Sequence, residues 1–198
     1  MKILAFMGSP RKNGNTAKLL NCIKEALPET DEMEIISLTD YKISGCMGCS
    51  HCQSDTEHFV CVQNDDGNML LHKIINADCV IYGTPLYGHN YSGQLKVFLD
   101  RHIPLFKFVS GKDKAVNEME ILSVIEKKPV GLVVSCQGPR VYNTELIQML
   151  FDKFCESSLA QCFGKYVFPF CNTNASLSEY DKETVQKIVM DIRQAALQ

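Results

Sequence analysis

The chain has no excess of basic residues. Its 20 Lys and Arg are set against 23 Asp and Glu over 198 residues, a formal net charge of −3. That balance argues against a dedicated nucleic-acid binder, which needs a basic face to meet phosphates. No apolar run is long enough to span a bilayer, because Lys, Asp or Pro interrupts each one. The apolar start, residues 1–8, is too short for a signal peptide and meets Ser9-Pro10-Arg11 with no cleavage-like site. A cytoplasmic protein is therefore expected. There is no repeat, no low-complexity stretch and no domain linker. Nor is there a nucleophile elbow with a Ser-His-Asp order, so hydrolase chemistry has no support. Both G-x-x-x-x-G-K-[ST] and G-x-G-x-x-G are missing, which excludes the usual cradles for a nucleoside triphosphate and a dinucleotide.

What is present is an alternation. Residues 3–7, 79–82, 130–134 and 166–170 are short apolar runs of the kind found in buried parallel strands, and 33–38 alternates like a strand near an edge. Between them lie helical patterns. Ala17, Leu20, Ile23 and Leu27 share a face, as do Leu95, Phe98, Leu99 and His102, then Ile147, Leu150, Phe151 and Phe154, and lastly Val185, Ile188, Val189 and Ile192. Ser178 with Asp181 is the expected cap of the last helix. Strand alternating with helix gives an α/β class with right-handed crossovers and a sheet covered on both faces. A single domain over 1–198 is expected, with insertions near 41–71 and 102–128. The second insertion carries a helix-like part over 118–126.

Two loops concentrate polar and glycine residues. Ser9-Pro10-Arg11-Lys12-Asn13-Gly14-Asn15-Thr16 leaves the first strand and enters a helix. Backbone N–H groups at a helix N-terminus attract an anion. Ser9 and Thr16 add hydroxyl donors, Asn15 an amide and Arg11 a forked cation. The plain alternative is that Asn15 and Thr16 only cap the helix. Position decides, since ligands of such sheets bind at the carboxyl ends of the strands. After the third strand, 82–93 holds Pro85, two glycines among its first seven residues, and Tyr87 and Tyr91, whose flat faces suit a planar ring. Ser92 is the expected cap of the next helix. His89 reads as a solvated loop histidine and Asp65-Asp66 as a helix cap.

Cysteine is the one residue type in unusual supply. Ten are present, and Cys46, Cys49, Cys52 and Cys61 crowd into sixteen residues as C-x2-C-x2-C-x8-C. Thiolates two residues apart can share one centre, and the rhythm is close to that of [4Fe–4S] proteins. Zinc on the same thiolates, or on three with His51 or His58, is an alternative. So are a redox-active thiol pair and an empty vestige. Cys22, Cys79, Cys136, Cys155, Cys162 and Cys171 are scattered and read as packing residues.

The stretches 8–16, 84–87 and 93–101 together resemble the NAD(P)H-dependent FMN reductase family of flavodoxin-like proteins, and the cysteine run resembles its iron–sulfur flavoprotein branch. The resemblance implies a doubly wound, five-stranded parallel sheet in the order 2-1-3-4-5 with FMN at the switch point. It implies that Ser9, Arg11, Asn15 and Thr16 hold the FMN phosphate and that Pro85, Leu86, Tyr87 and Gly88 line the isoalloxazine. A third FMN loop then follows the fourth strand at Ser135, Gln137 and Gly138, with Cys136 within reach of the ring. In this reading Cys46, Cys49, Cys52 and Cys61 bind a cluster that relays electrons. No residue is assigned as catalytic, because flavin chemistry needs few protein acids or bases. The expected function is an FMN-binding oxidoreductase or electron-transfer flavoprotein. A cluster-free NAD(P)H-dependent FMN or quinone reductase is the first alternative, and a non-enzymatic module with a zinc–thiolate site the second. Expected partners are NAD(P)H, a ferredoxin or a quinone, and a second copy of the chain in a homodimer or homotetramer.

Overall fold

A computed structural model describes residues 1–55, 57–110, 119–172 and 178–197. Five parallel strands form the sheet: β1 (Lys2–Met7), β2 (Glu32–Ser37), β3 (Cys79–Pro85), β6 (Pro129–Ser135) and β7 (Gln161–Phe168). Their order is β2-β1-β3-β6-β7. With the separate hairpin of β4 (Phe106–Ser110) and β5 (Met119–Ser123) set aside, this is the 2-1-3-4-5 order expected. The central strands β3 and β6 are buried at every residue, as strands covered on both faces must be. Edge strand β2 alternates instead.

Helices cover both faces. On one lie α1 (Asn15–Ala26) and α6 (Glu179–Ala195), whose Leu20, Ile23, Ile188 and Ile192 pack on Ala5 and Ile81. On the other lie α3 (Gly67–Asn76), α4 (Gly93–Asp100) and α5 (Glu145–Ser158), whose Leu70, Phe98 and Phe151 pack on Phe6 and Tyr82. The expected caps form. Ser178 Oγ accepts the Asp181 N–H at 3.2 Å while Asp181 Oδ2 accepts the Ser178 N–H at 2.9 Å. Ser92 caps α4 by accepting the Leu95 N–H at 3.3 Å. No helix among the described residues is long and apolar enough to cross a membrane.

Three expectations about local structure need correction. The stretch 118–126 is not helical: β5 (Met119–Ser123) pairs antiparallel with β4 (Phe106–Ser110), so the second insertion is a hairpin. A run this short carries too little periodicity to separate strand from helix, and pairing with β4 decides. Residues 111–118 lie outside the described residues. Strand β7 begins at Gln161 and ends at Phe168 rather than covering 166–170. Its first half lies on an open edge beside a register shift at Val130/Gly131, and half-exposed residues give no apolar run there. Asp66 stands at the N-cap of α3 without capping it; of the expected pair it is Asp65 whose Oδ1 accepts the helix's first N–H, that of Gly67, at 3.0 Å. Its carboxylate accepts the Lys42 N–H at 2.7 Å, and that of Asp65 accepts the Ser44 N–H at 2.9 Å. The two acids thus draw the ends of the first insertion together.

Candidate functional site: a three-loop cleft and a cysteine cavity

Strand β1 ends by running its backbone close to α4. A Cβ at Gly8 would stand 2.6 Å from Leu95 Cβ, so no other residue fits there unshifted. The Gly8 carbonyl accepts the Ser92 hydroxyl at 2.5 Å, and Ser92 N–H donates to Thr84 Oγ1 at 3.0 Å. The first and second loops are thereby stitched together beneath the surface. Ser9 folds the first loop: its buried Oγ accepts the Arg11 N–H at 3.1 Å and donates to the Arg11 carbonyl at 3.3 Å. Gly14 is the N-cap of α1 and no side chain caps that helix. The capping role for Asn15 and Thr16 is therefore not what forms. Thr16, 1% exposed, turns its Oγ1 to Ser135 Oγ at 2.8 Å, joining the first loop to the third. The opening N–H groups of α1 stay available to an anion.

Ser135 also accepts the Leu86 N–H on its carbonyl at 2.9 Å. All three loops thus meet at the carboxyl ends of β1, β3 and β6. They enclose a cleft of about 300 Å³ lined by Ser9, Arg11, Asn15, Thr16, Pro85, Leu86, Tyr87, Ser135 and Gln137. Gly88 and Gly138 line an adjoining hollow of about 440 Å³ that shares Leu86 and Gln137 with the cleft. The combined space falls in the range of small-molecule sites. Tyr87 is held on the rim by paired backbone bonds with Asn90 at 3.1 and 3.0 Å. Tyr91 does not offer a face to the cleft. It is buried, with its hydroxyl donating to the Ile147 carbonyl at 3.5 Å, because α5 covers it. His89 stays exposed, with Nδ1 3.1 Å from the Asn143 carbonyl.

Cys46, Cys49, Cys52 and Cys61 line a second, smaller cavity of about 150 Å³. Two backbone positions with positive φ shape its wall, Gly48 at 63° and Ser50 at 55°. That turn aims the Gly48 N–H at Cys46 Sγ, 3.5 Å away. Asn68 fixes the fourth cysteine by accepting the Cys61 N–H and donating to the Cys61 carbonyl, both at 2.8 Å. The four thiols line this cavity, and among the described residues no three His, Cys, Asp or Glu side chains meet as for a single ion.

The hairpin insertion clamps this cysteine loop. Gln53, in the one-turn helix α2 (His51–Ser54), donates to the Ile103 and Phe106 carbonyls at 3.1 and 3.0 Å and accepts the Phe108 N–H at 3.0 Å. Lys107, fully buried, donates to the Cys52 carbonyl and, at 2.9 Å, to that of His58. Arg101, 1% exposed, lines the cavity and forks onto Asp65 at 2.7 and 3.0 Å. Burial works against the Arg101 charge, but Asp65 and the Cys61 thiol outweigh it and strengthen its hold on the proton. Burial raises the Cys52 thiol, a shift that Gln53 and Lys107 oppose.

A model of the NADPH-dependent FMN reductase family matches residues 1–151. The chain belongs to that family. Two relatives are iron–sulfur flavoproteins. One, from Archaeoglobus fulgidus, is 38% identical over 105 residues, covering 52% of this chain and 46% of the relative. The other, from Methanocaldococcus jannaschii, is 39% identical over 106 residues, covering 53% of each. The chain thus spans about half the length of the curated relatives it matches. Among solved structures, a flavone reductase superposes with a TM-score of 0.71 at 17% identity, over 100% of this chain and 63% of that one. An azoreductase from Bacillus anthracis str. Sterne superposes with a TM-score of 0.63 at 16% identity, over 100% and 97%. At those identities the likeness is one of fold.

The three loops singled out in the sequence line one cleft. The sequence reading missed Cys171 and Asn172, which also line the cleft. Cys171 follows the fifth strand and donates its N–H to the Cys136 carbonyl at 2.9 Å. No motif announces it. Nor is every scattered cysteine a packing residue: Cys79, Cys136 and Cys155 are buried, but Cys162 is exposed on the edge strand. A larger hollow of about 700 Å³ lies at the opposite end of the sheet, around Met1, Asp78 and Lys128, away from every loop described above.

Proposed function

We propose that this chain is an FMN-dependent oxidoreductase that relays electrons through a [4Fe–4S] cluster. The observation that carries the flavin part is the convergence of three separate loops on one cleft at the carboxyl ends of β1, β3 and β6. In this reading Ser9, Arg11, Asn15, Thr16 and the first N–H groups of α1 hold the phosphate. Pro85, Leu86, Tyr87 and Gly88 position one side of the ring, with Ser135, Gln137 and Gly138 on the other. FMN when bound exchanges electrons singly or in pairs, and a [4Fe–4S] cluster passes them one at a time. Cys46, Cys49, Cys52 and Cys61 hold the cluster. Support for it is the single cavity the four thiols line and the iron–sulfur flavoproteins among the relatives. NAD(P)H, a ferredoxin or a quinone serves as the redox partner.

The test is anaerobic purification with a visible spectrum, FMN titration, and iron and acid-labile sulfide analysis. One FMN per chain with stoichiometric iron and sulfide is expected. Absence of flavin bands and of FMN uptake would overturn the flavin reading. FMN without iron would leave the cluster-free reductase, and zinc in place of iron would remove the relay. The exposed Val141, Tyr142, Met149 and Phe170, grouped around the third loop and α5, support a homo-oligomer. Light scattering at micromolar concentration should give at least a dimer.

A further inference from the structure

Two cations are buried beside the four cysteines, and they differ in one respect. Arg101 has its own counter-ion in Asp65, with a second acceptor in the Ser44 carbonyl at 2.9 Å. Its Nε is nevertheless buried without a hydrogen-bond partner among the described residues, while the side chain lines the cysteine cavity. Lys107 has no carboxylate in ion-pair contact among the described residues. Among the described residues its buried ammonium meets the Cys52 and His58 carbonyls and the face of Phe59, 4.9 Å from the ring centroid. Asp55, the carboxylate that acts on it through space, is turned to His58, with Oδ2 2.7 Å from Nδ1. A buried charge without a counter-ion is costly. Carbonyl dipoles and a ring face offset only part of that cost. Lys107 is not among the residues that line the cavity; it stands behind Cys52, whose carbonyl takes the ammonium and whose thiol acts on it through space, so an anionic centre held by Cys52 would complete the balance.

We propose that Lys107 is the counter-ion of the metal–thiolate centre at Cys46, Cys49, Cys52 and Cys61, and that its charge raises the reduction potential of that centre. The inference rests on the cluster reading given above. Its physical basis is simple. Each added electron makes the centre more negative, and a fixed, buried cation behind Cys52 favours the reduced form more than the oxidised one. Lys107 acts through the field and through the Cys52 backbone it anchors, so it is a positioning residue and not a ligand. Arg101 lines the cavity itself, but its charge is already balanced by Asp65.

The experiment compares the full chain with its Lys107→Gln and Lys107→Arg variants, each reconstituted anaerobically with iron and sulfide. Glutamine keeps donors for the two carbonyls and removes the charge; arginine keeps the charge. The readouts are iron and sulfide content and a potentiometric titration of the cluster's visible and paramagnetic signals. Lys107→Gln should shift the reduction equilibrium at least tenfold toward the oxidised form, equal to a drop of 59 mV for a one-electron couple. Lys107→Arg should stay close to the parent. A Gln variant that retains iron at the parent potential overturns the proposal. So does an Arg variant that loses iron or shifts as far as the Gln variant. If Gln loses the cluster and Arg keeps it, the charge is needed to hold the centre at all, which supports the assignment. A parent chain that takes up no iron and sulfide refutes the cluster reading itself, an outcome distinct from an unshifted potential.

Discussion

Thr16 and Ser135 meet through buried hydroxyls 2.8 Å apart, and each belongs to a different loop of the cleft. Thr16→Val keeps the shape and strands the Ser135 hydroxyl. Leaving a buried polar group unpaired costs roughly 1 to 3 kcal/mol, so a loss of that order is expected in urea denaturation. FMN titration should show weaker uptake by the same variant, because the loop loses its tie. His102 gives a second prediction. Its Nδ1 lies 2.8 Å from the Phe98 carbonyl, which only accepts, so Nδ1 carries the proton. Nε2, 3.0 Å from Tyr82 Oη, then accepts the phenol's O–H. Full burial pushes the imidazole down from 6.5 to about 4. Between those values the unfolded chain binds more protons than the folded one, so stability falls as pH drops through this window. The loss attributable to His102 is about 3 kcal/mol when complete. Urea denaturation at a series of pH values would measure it, and His102→Gln should flatten the slope from pH 6.5 to 4.

At the scale of elements, the two insertions explain one another. A cysteine loop with one short helix has little apolar surface of its own to bury. The β4–β5 hairpin supplies a frame, and Gln53 is the joint, bonded to three backbone groups of the 103–108 segment. Gln53→Ala should free α2 from the hairpin. Hydrogen exchange is then expected to speed up across residues 45–61 with the five-stranded sheet unaffected. Iron retention should fall in the same variant. Equal protection in variant and parent would place the joint elsewhere. Gly8 sets a comparable constraint at the opposite end of α4 from the cysteine cavity. Gly8→Ala forces β1 and α4 apart at Leu95, and overpacking of this kind costs roughly 1 to 3 kcal/mol. The shift is expected to appear both in the melting temperature and in FMN affinity, because the same contact stitches the first two loops together.

At the scale of the molecule, the cleft and the cysteine cavity share no lining residue. Their occupants should therefore load independently. Cys49→Ser is expected to abolish iron binding while changing FMN affinity by no more than about twofold, the usual tolerance for separated sites. Visible spectra and metal analysis of that variant would check both halves of the statement. Loss of FMN together with iron would mean that the two sites are coupled.

The strand–helix alternation, the capping of α4 and α6, the polar loop after β1 and the four-cysteine rhythm were legible in the sequence because each is local. Hydrophobic period, cap chemistry and cysteine spacing act over a few residues and need no partner from afar. Tertiary structure alone decided the rest. Residues 119–123 form a strand because β4 lies beside them, and Tyr91 is buried because α5 covers it. Cys171 reaches the cleft because its backbone pairs with Cys136, thirty-five positions away in the chain. The same holds for Lys107. In sequence it is one lysine in a mixed insertion, and only the docking of the hairpin on the cysteine loop removes it from water and sets its charge behind Cys52. Burial and counter-charge depend on what the rest of the chain brings alongside, and no short window of sequence records that.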